Sequence, residues 1–538
     1  MKRLLQKMSS AFSRLVAPYP ANPKVGLFRG ALLSPRPALL DGAESCALAI
    51  ESVPDPFYFA LFGAIVAEMN QHRRAVGELI VVRATSGAIG VGWRAWLMRS
   101  VPMTWILSTQ WVRAFSGLVD RVAYRSHSWA HPLHDLADWL RSVALWWRVR
   151  HQPGDFTLEI RGIAVGDLIS DTYLRFRPSP RFDAADPFVL RLIWQSHCAI
   201  RCAQRYFQRK APALYLTSYS TYLEHGIPVR VALQEGIRVL SFGSLTRFHK
   251  ELTLHDWYHT ANCDQYRSTF DALENKDERL AEAEQQLRTR MSGGIDAATS
   301  YMKVSAYADS GNAVPTDVGG AVIVFLHDFY DSPHIYPDII FGDFWNWACF
   351  TIDSLSSAGI PFYLKPHPNQ VELSSNVLEE LRARYPTARF LPQGVTNTQL
   401  ADAGMACGVT VYGTIAHELA YLGVPTVACA RHPHIAFEFC RTARSKDEYE
   451  ALLRSATQFP VDAKLMRREA LAFYYMHNLY GEAEDLELRT RFVALWKLCQ
   501  SAASPADALL EALSRLRQSP RFGRSVLEMT RMNNHADH

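Results

Sequence analysis

The chain has 538 residues, 48% of them hydrophobic and 20% charged, which fits a soluble globular protein of two or three domains. Its 57 Lys and Arg against 53 Asp and Glu leave a net charge of +4. These charges are intermixed and the excess is mild, which argues against a nucleic-acid partner. The absence of an uncharged apolar run of about 18 residues argues against a membrane-spanning helix.

Nine cysteines occur without a CxxC pair. Cys198 and Cys202 stand four apart with no second pair to complete a zinc site, so reduced thiols in a cytoplasmic setting are expected. The first twenty residues carry Lys2, Arg3, Lys7 and Arg14 and no acid, with Leu5, Met8, Phe12 and Leu15 on one helical face. Such a segment either packs on the domain or lies on an acidic membrane surface.

Residues 46–118 read as α/β. CALAIES and GELIVVRA are strand-like and flank the helical FYFALFGAIVAEMN. The turn TSGAIGVGWR follows, holding Gly87, Gly90 and Arg94. It could cradle an anion, but its spacing is not the dinucleotide fingerprint. Eight of the 13 tryptophans fall between Trp93 and Trp147, interleaved with arginines from Arg94 to Arg150. They suit helical core packing, or a membrane interface or sugar-stacking surface.

Asp167, Asp171 and Arg175 recur at four-residue spacing and share a helical face. The simplest reading is an ion-pair ladder; the alternative is an acidic group at a cleft, with Asp171 as base or nucleophile. Residues 213–244 repeat the α/β grammar, with strands ALYLTS and IRVLSFG around a polar turn and a helix. Glu224 and His225 follow the first of these strands, and a carboxylate beside a histidine is a workable general base. Residues 272–300 are charged and helix-prone, and 301–319 form the best linker candidate. The strand AVIVFLHDF then opens a second domain, with His327, Asp328, Asp331 and His334 at its end. This group suits acid–base chemistry or a metal ion.

The richest stretch spans 361–427. One strand ends in Lys365-Pro366-His367-Pro368, and a second ends in Tyr412-Gly413-Thr414 before a helix that carries Glu418 and stops at Gly423. In parallel α/β sheets ligands bind at the carboxyl ends of strands, where both turns fall. Gly413 and Thr414 at a helix start favour an anion. Two prolines stiffen His367 beside Lys365, and Glu418 could accept from sugar hydroxyls. Past the next strand, Arg431, His432 and His434 could close over a ligand. Helices are expected to about residue 520, and then a disordered tail, 521–538.

The segment GTIAHELAYLGVP resembles the G-(S/T)-x-x-x-E-(A/L)-x-x-x-G-x-P segment of many GT-B-fold glycosyltransferases. The K-P-H-P turn resembles the histidine-proline motif of bacterial capsule and surface-polysaccharide transferases, including those using CMP-activated sialic acid or Kdo. The likeness covers about residues 320–445. It implies an α/β GT-B-like fold, two Rossmann-like domains facing a central cleft with extra helices at both ends. Expected boundaries are an acceptor-side domain 1–300, a linker 301–319, a nucleotide-sugar domain 320–460 and helices 461–520 crossing back. The resemblance also implies a glycosyltransferase of capsule or lipopolysaccharide synthesis that takes a nucleotide sugar, with a CMP-linked ulosonic acid favoured. The acceptor is a glycan or lipid-linked glycan, met in the cytoplasm or at the inner membrane face. No cofactor and no metal are expected. Donor contacts would come from Lys365, His367, Gly413, Thr414, Glu418 and His432. Asp328, Asp331, Glu224 and Asp171 are candidates for catalysis, and Gly87, Gly90 and Arg94 for the acceptor side. A nucleotide-sugar epimerase or a non-catalytic assembly protein on the same fold are the alternatives.

Overall fold

The computed structural model describes residues 22–33, 45–72, 74–81, 101–119, 121–125, 132–151, 156–298, 307, 313–367, 373–392 and 394–530. The strands, in chain order, are β1 (Ser45–Glu51), β2 (Arg74–Val81), β3 (Arg121–Arg125), β4 (Glu159–Ile160), β5 (Ile163–Ala164), β6 (Leu214–Thr217), β7 (Arg238–Ser241) and β8 (Lys250–Leu252) in the first half. The second half has β9 (Val322–Phe325), β10 (Phe362–Lys365), β11 (Arg389–Phe390), β12 (Cys407–Val409), β13 (Thr426–Ala428) and β14 (Cys440–Thr442).

Two six-stranded sheets result, ordered β3-β2-β1-β6-β7-β8 and β11-β10-β9-β12-β13-β14, with β4 and β5 as a separate hairpin. The second sheet is parallel throughout, and the first is parallel except for its edge strand β8. Each sheet runs outward from its first strand through two more on one side and then crosses to place three on the other. That is the doubly wound order of a dinucleotide-binding fold, made twice. The strands are short and apolar because helices cover both faces: all four residues of β6 and of β9 are buried. Two Rossmann-like halves in one chain make the architecture GT-B-like.

The last helices return to the first half. Leu488, Phe492, Leu513, Phe522 and Val526 share one core with Phe57 and Phe62 of helix Pro56–His72. Lys24 seals this junction by donating to the carbonyls of Leu498, Cys499 and Ser501 at the end of helix Ala483–Gln500.

Three expectations are corrected. Helix Ala463–Asn478 does not cross back but stays in the second half. There it packs with helix Lys276–Met291, whose Leu280, Ala283 and Leu287 belong to the same core. The first domain therefore ends before that helix, not at residue 300. Residues 521–530, expected in the tail, lie in helix Pro520–Thr530, because Phe522, Val526 and Met529 have an apolar groove to fill. The ion-pair ladder in helix Gly166–Phe176 is also absent. Asp167 pairs with Arg230, Asp171 accepts from His334 at 2.6 Å, and Arg175 donates to the Tyr330 carbonyl. The last two contacts join the halves, so this face of the helix is an interdomain seam.

Candidate functional site

A cavity of about 390 Å³ opens at the carboxyl edge of the second sheet. Its wall includes Lys365 at the end of β10 and His367 beyond it, His327 beyond β9, Thr410, Gly413 and Thr414 beyond β12, and Glu418 one turn into helix Ile415–Tyr421. The chain switches sides between β9 and β12, so the crevice sits at the topological switch point where such sheets bind ligands. Thr246, from the first half, completes the lining.

The turns are rigid for local reasons. His327 Nε2 lies 3.1 Å from Thr410 Oγ1, and its ring stacks on Phe344 with centroids 4.7 Å apart. Thr410 Oγ1 also accepts the Gly413 amide at 3.1 Å, and a Cβ on Gly413 would stand 2.7 Å from that oxygen. Glycine is therefore required by close packing. The Gly413 amide is already bonded, so the amide donors expected at this helix start are reduced by one. Thr414 is exposed and makes no side-chain cap.

Lys365 donates to Asn397 Oδ1 at 2.5 Å, and burial pushes its amine down to about 8. Burial also lowers His367, against the opposing charge of Asp328. His327 and His477 are pushed by burial to about 3, and His417 also falls well below the usual range. These rings are neutral. Arg290, also in the wall, is committed to Glu418 at 2.7 Å and Asp296 at 3.2 Å. Among the described lining residues, Lys365 is thus the cation whose hydrogen bond goes to an amide and not to a carboxylate, with the Glu418 charge acting on it from further off.

Glu418 was expected to meet sugar hydroxyls. Instead it holds Arg290 on one oxygen and Tyr307 and Asn397 on the other. Its first task is to tie helix Lys276–Met291, Tyr307 and the start of helix Asn397–Asp402 into one wall. Arg290, Tyr307 and Asn397 were missed by the sequence reading.

His432 is corrected outright. It is 2% exposed, bonds Thr442 Oγ1 at 2.5 Å, and stacks on His434 with ring centroids 3.7 Å apart. It is buried in the second half and does not line the cavity, because Thr442 of β14 and the His434 ring hold it elsewhere. His432, His434 and buried Cys440 bring one donor atom each within 4.8 Å of one another, but the imidazoles meet face to face, as in a packed aromatic stack.

Of the proposed catalytic acids, Asp171 is fully buried and bonded to His334 across the seam, which leaves it no room to reach a substrate. Burial raises Asp171, and His334 opposes the shift. Asp328 accepts from Ser374 Oγ at 2.8 Å and from the Tyr330 amide. Asp331 is open to water in the groove between the halves, where surrounding protein raises its carboxyl. Glu224 is raised by burial and its Oε2 has no hydrogen-bond partner. The carboxylate bonded to His225 is Glu51, not Glu224. Gly87, Gly90 and Arg94 lie outside the described residues. Thus Lys365, His367, Gly413, Thr414 and Glu418 share one cavity, while His432 and Asp171 do not belong to it.

Fold and crevice together define a GT-B-like protein with an open cavity at the switch point of its second half. No family model and no curated protein matches the chain. Solved structures of similar general form include the UDP-GlcNAc 2-epimerase of Neisseria meningitidis bound to UDP-GlcNAc. It is 9% identical over 85% of this chain and 100% of that one, with a TM-score of 0.22. The Methanocaldococcus jannaschii UDP-GlcNAc 2-epimerase in complex with UDP-GlcNAc and UDP is 8% identical over 79% and 98%, with a TM-score of 0.24. The glycotransferase of kitacinnamycin is 11% identical over 80% and 96%, with a TM-score of 0.21. Scores this low carry no argument, so the fold rests on the strand order above.

Proposed function

We propose that the chain is a glycosyltransferase that takes a nucleotide-activated sugar in the cavity of its second half. The carrying observation is convergence: the Lys365–His367 turn and the Gly413–Thr414 turn, 46 residues apart in sequence between Pro366 and Tyr412, line one crevice at the switch point. The charge of that crevice favours a CMP-linked sugar. A phosphodiester carries one negative charge and a UDP-sugar diphosphate two, and Lys365 is the described lining cation that no carboxylate hydrogen-bonds. Lys365 and the hydrogen-bonding turn would stabilise charge on the departing phosphate. An epimerase remains the second reading, since it uses the same fold and needs no acceptor.

Calorimetry with CMP and UDP, followed by incubation with CMP-Kdo, CMP-sialic acid and UDP-GlcNAc with and without glycan acceptors, tests this. Tighter binding of CMP than UDP and acceptor-dependent nucleotide release are expected. Conversion of UDP-GlcNAc without acceptor would point to the epimerase, and no binding of any nucleotide would end both readings.

Contact with a membrane surface also forms part of the proposal. Among the described residues no helix is long and apolar enough to cross a membrane. Helix Pro132–Val149, however, exposes Leu133, Leu136, Leu140 and Trp147, and Arg150 lies 3.8 Å over the Trp147 ring. Spacings of three, four and seven put these apolar groups on one helical face next to basic side chains, as at a bilayer interface. Co-sedimentation with vesicles rich in phosphatidylglycerol should fall when Leu136 and Leu140 are both replaced by Glu. Unchanged sedimentation would remove this face from the proposal.

A further inference from the structure

A second group of polar side chains stands at the carboxyl edge of the first sheet, outside the cavity described above. Glu51 ends β1, and four donors converge on it. His225 Nδ1 contacts Oε1, while the Ser218 amide and hydroxyl reach Oε2 at 2.7 Å each and the Thr217 hydroxyl reaches it at 3.1 Å. With Nδ1 donating to a carboxylate, the lone pair of the neutral imidazole is on Nε2. Among the described residues Nε2 makes no hydrogen bond, and the His225 side chain keeps 11% of its surface open.

The ring is held firmly. Gly226 follows it, and a Cβ there would stand 2.4 Å from a Leu168 methyl and 2.8 Å from the Ser220 carbonyl, so helix Tyr222–Gln234 is pressed against its neighbours. Tyr222, at the start of that helix, has a φ of +60°, a left-handed conformation that a bulky residue seldom adopts and that collects at working sites. Tyr219 packs edge-on against the His225 ring, with centroids 5.8 Å apart.

The group also faces the correct way. Asp331 acts electrostatically on both Tyr219 and Tyr222, Asp328 acts on Asp331, and Asp328 in turn acts on His367. Thr246, in the loop that follows β7, lines the cavity of the second half, and a Cβ on Gly243 of the same loop would stand 2.5 Å from the Ser218 carbonyl and 2.8 Å from the Tyr219 ring, so this edge of the first sheet is joined to the cavity by one short loop. Groups facing His225 are Glu51, Glu224, His259, Tyr219 and Tyr222, with Asp331 beyond.

We propose that the Glu51–His225 pair is the general base that activates an acceptor hydroxyl, a step that rests on the transferase reading above. Nε2 takes the hydroxyl proton as the oxygen bonds to the anomeric carbon. The bond from that carbon to the phosphate oxygen breaks, and its electron pair leaves on the nucleotide. Glu51 is a positioning residue: it fixes the tautomer and stabilises the imidazolium, which then releases its proton to water.

Burial is the largest influence and pulls His225 down, but the charge and hydrogen bond of Glu51 and the charge of Glu224 together outweigh it, and the net shift is upward. A base must be neutral, so turnover rises with pH through the His225 titration. Without the Glu51 charge that limb moves to lower pH.

The test compares wild type, His225→Gln and Glu51→Gln, using CMP and UDP as binding probes and CMP-Kdo, CMP-sialic acid and UDP-GlcNAc as donors. His225→Gln should bind nucleotide within twofold of wild type and lose turnover by about 10²-fold or more. Glu51→Gln should shift the acid limb down. If that buried variant fails to fold, His225→Gln together with the wild-type pH profile decides the question. Wild-type turnover in a nucleotide-binding His225→Gln overturns the base and leaves the transferase reading standing. A wild type that binds no nucleotide overturns both.

Discussion

Replacing Arg290 by alanine should lower unfolding stability by about 3–5 kcal/mol, the cost of removing one partner from a buried ionic network. Arg290 is 4% exposed and sits between Glu418 and Asp296, which are both buried. Tyr474 and Tyr307 also donate to these two acids, but hydroxyls cannot neutralise two charges. Asn397 is tied to the same centre, so the loss should reach the cavity wall and weaken nucleotide binding as well. The control is Arg288→Ala, two residues earlier on the exposed side of the same helix, where Arg288 pairs with Glu284 at the surface. Urea unfolding followed by circular dichroism should separate the two variants clearly. Equal midpoints for both would mean that the Arg290 network is not a structural centre.

This network explains what the sequence could and could not show. Strand-end turns were legible because alternation of apolar runs with Gly, Pro and polar residues is a local signal. It located β6, β9, β10 and β12, and hence the Lys365–His367 and Gly413–Thr414 turns. Arg290 was not legible, because a charged helix such as KDERLAEAEQQLRTRM reads as solvated on every face. That Leu280 and Leu287 point into the second half's core depends on where helix Ala463–Asn478 lies, which is a long-range fact. Glu51 is different: a carboxylate at the last position of a strand is the kind of signal that picked out Asp328. Its partner His225 lies 174 residues away, and the adjacent acid Glu224 reads as the simpler pairing. His432 failed for the opposite reason. It sits in the polar stretch Arg431-His432-Pro433-His434, but Thr442 of β14 and the His434 ring take it into the interior. The helix at Pro520–Thr530 was hidden by a polar sequence whose apolar face, Phe522, Val526 and Met529, recurs at spacings of four and three.

Lys365→Met should weaken nucleotide binding by about 10–100-fold, the range set by losing a hydrogen bond between charged groups. The prediction follows from the charge inventory of the crevice. Its histidines are neutral and Arg290 is engaged, so Lys365 carries the positive charge that a phosphate would meet. Methionine keeps most of the side-chain volume and the apolar contact with Phe325, over whose ring the ammonium lies at 5.5 Å. Lost binding would then report lost charge. The same lysine makes the affinity depend on pH. Burial sets its empty-site value near 8, and a bound phosphate raises it. Below about pH 8 the ammonium is present and binding is at full strength; above it, affinity for CMP should fall by up to tenfold per pH unit until the liganded value is reached. The second ionisation of a phosphate monoester, near 6, is complete in this range and does not add to the slope. In Lys365→Met the decline between about pH 8 and 9.5 should vanish along with most of the affinity. Calorimetric titrations at four pH values on both proteins measure this directly. A wild-type profile that stays flat, or a variant that keeps the wild-type slope, would show that the phosphate is held elsewhere.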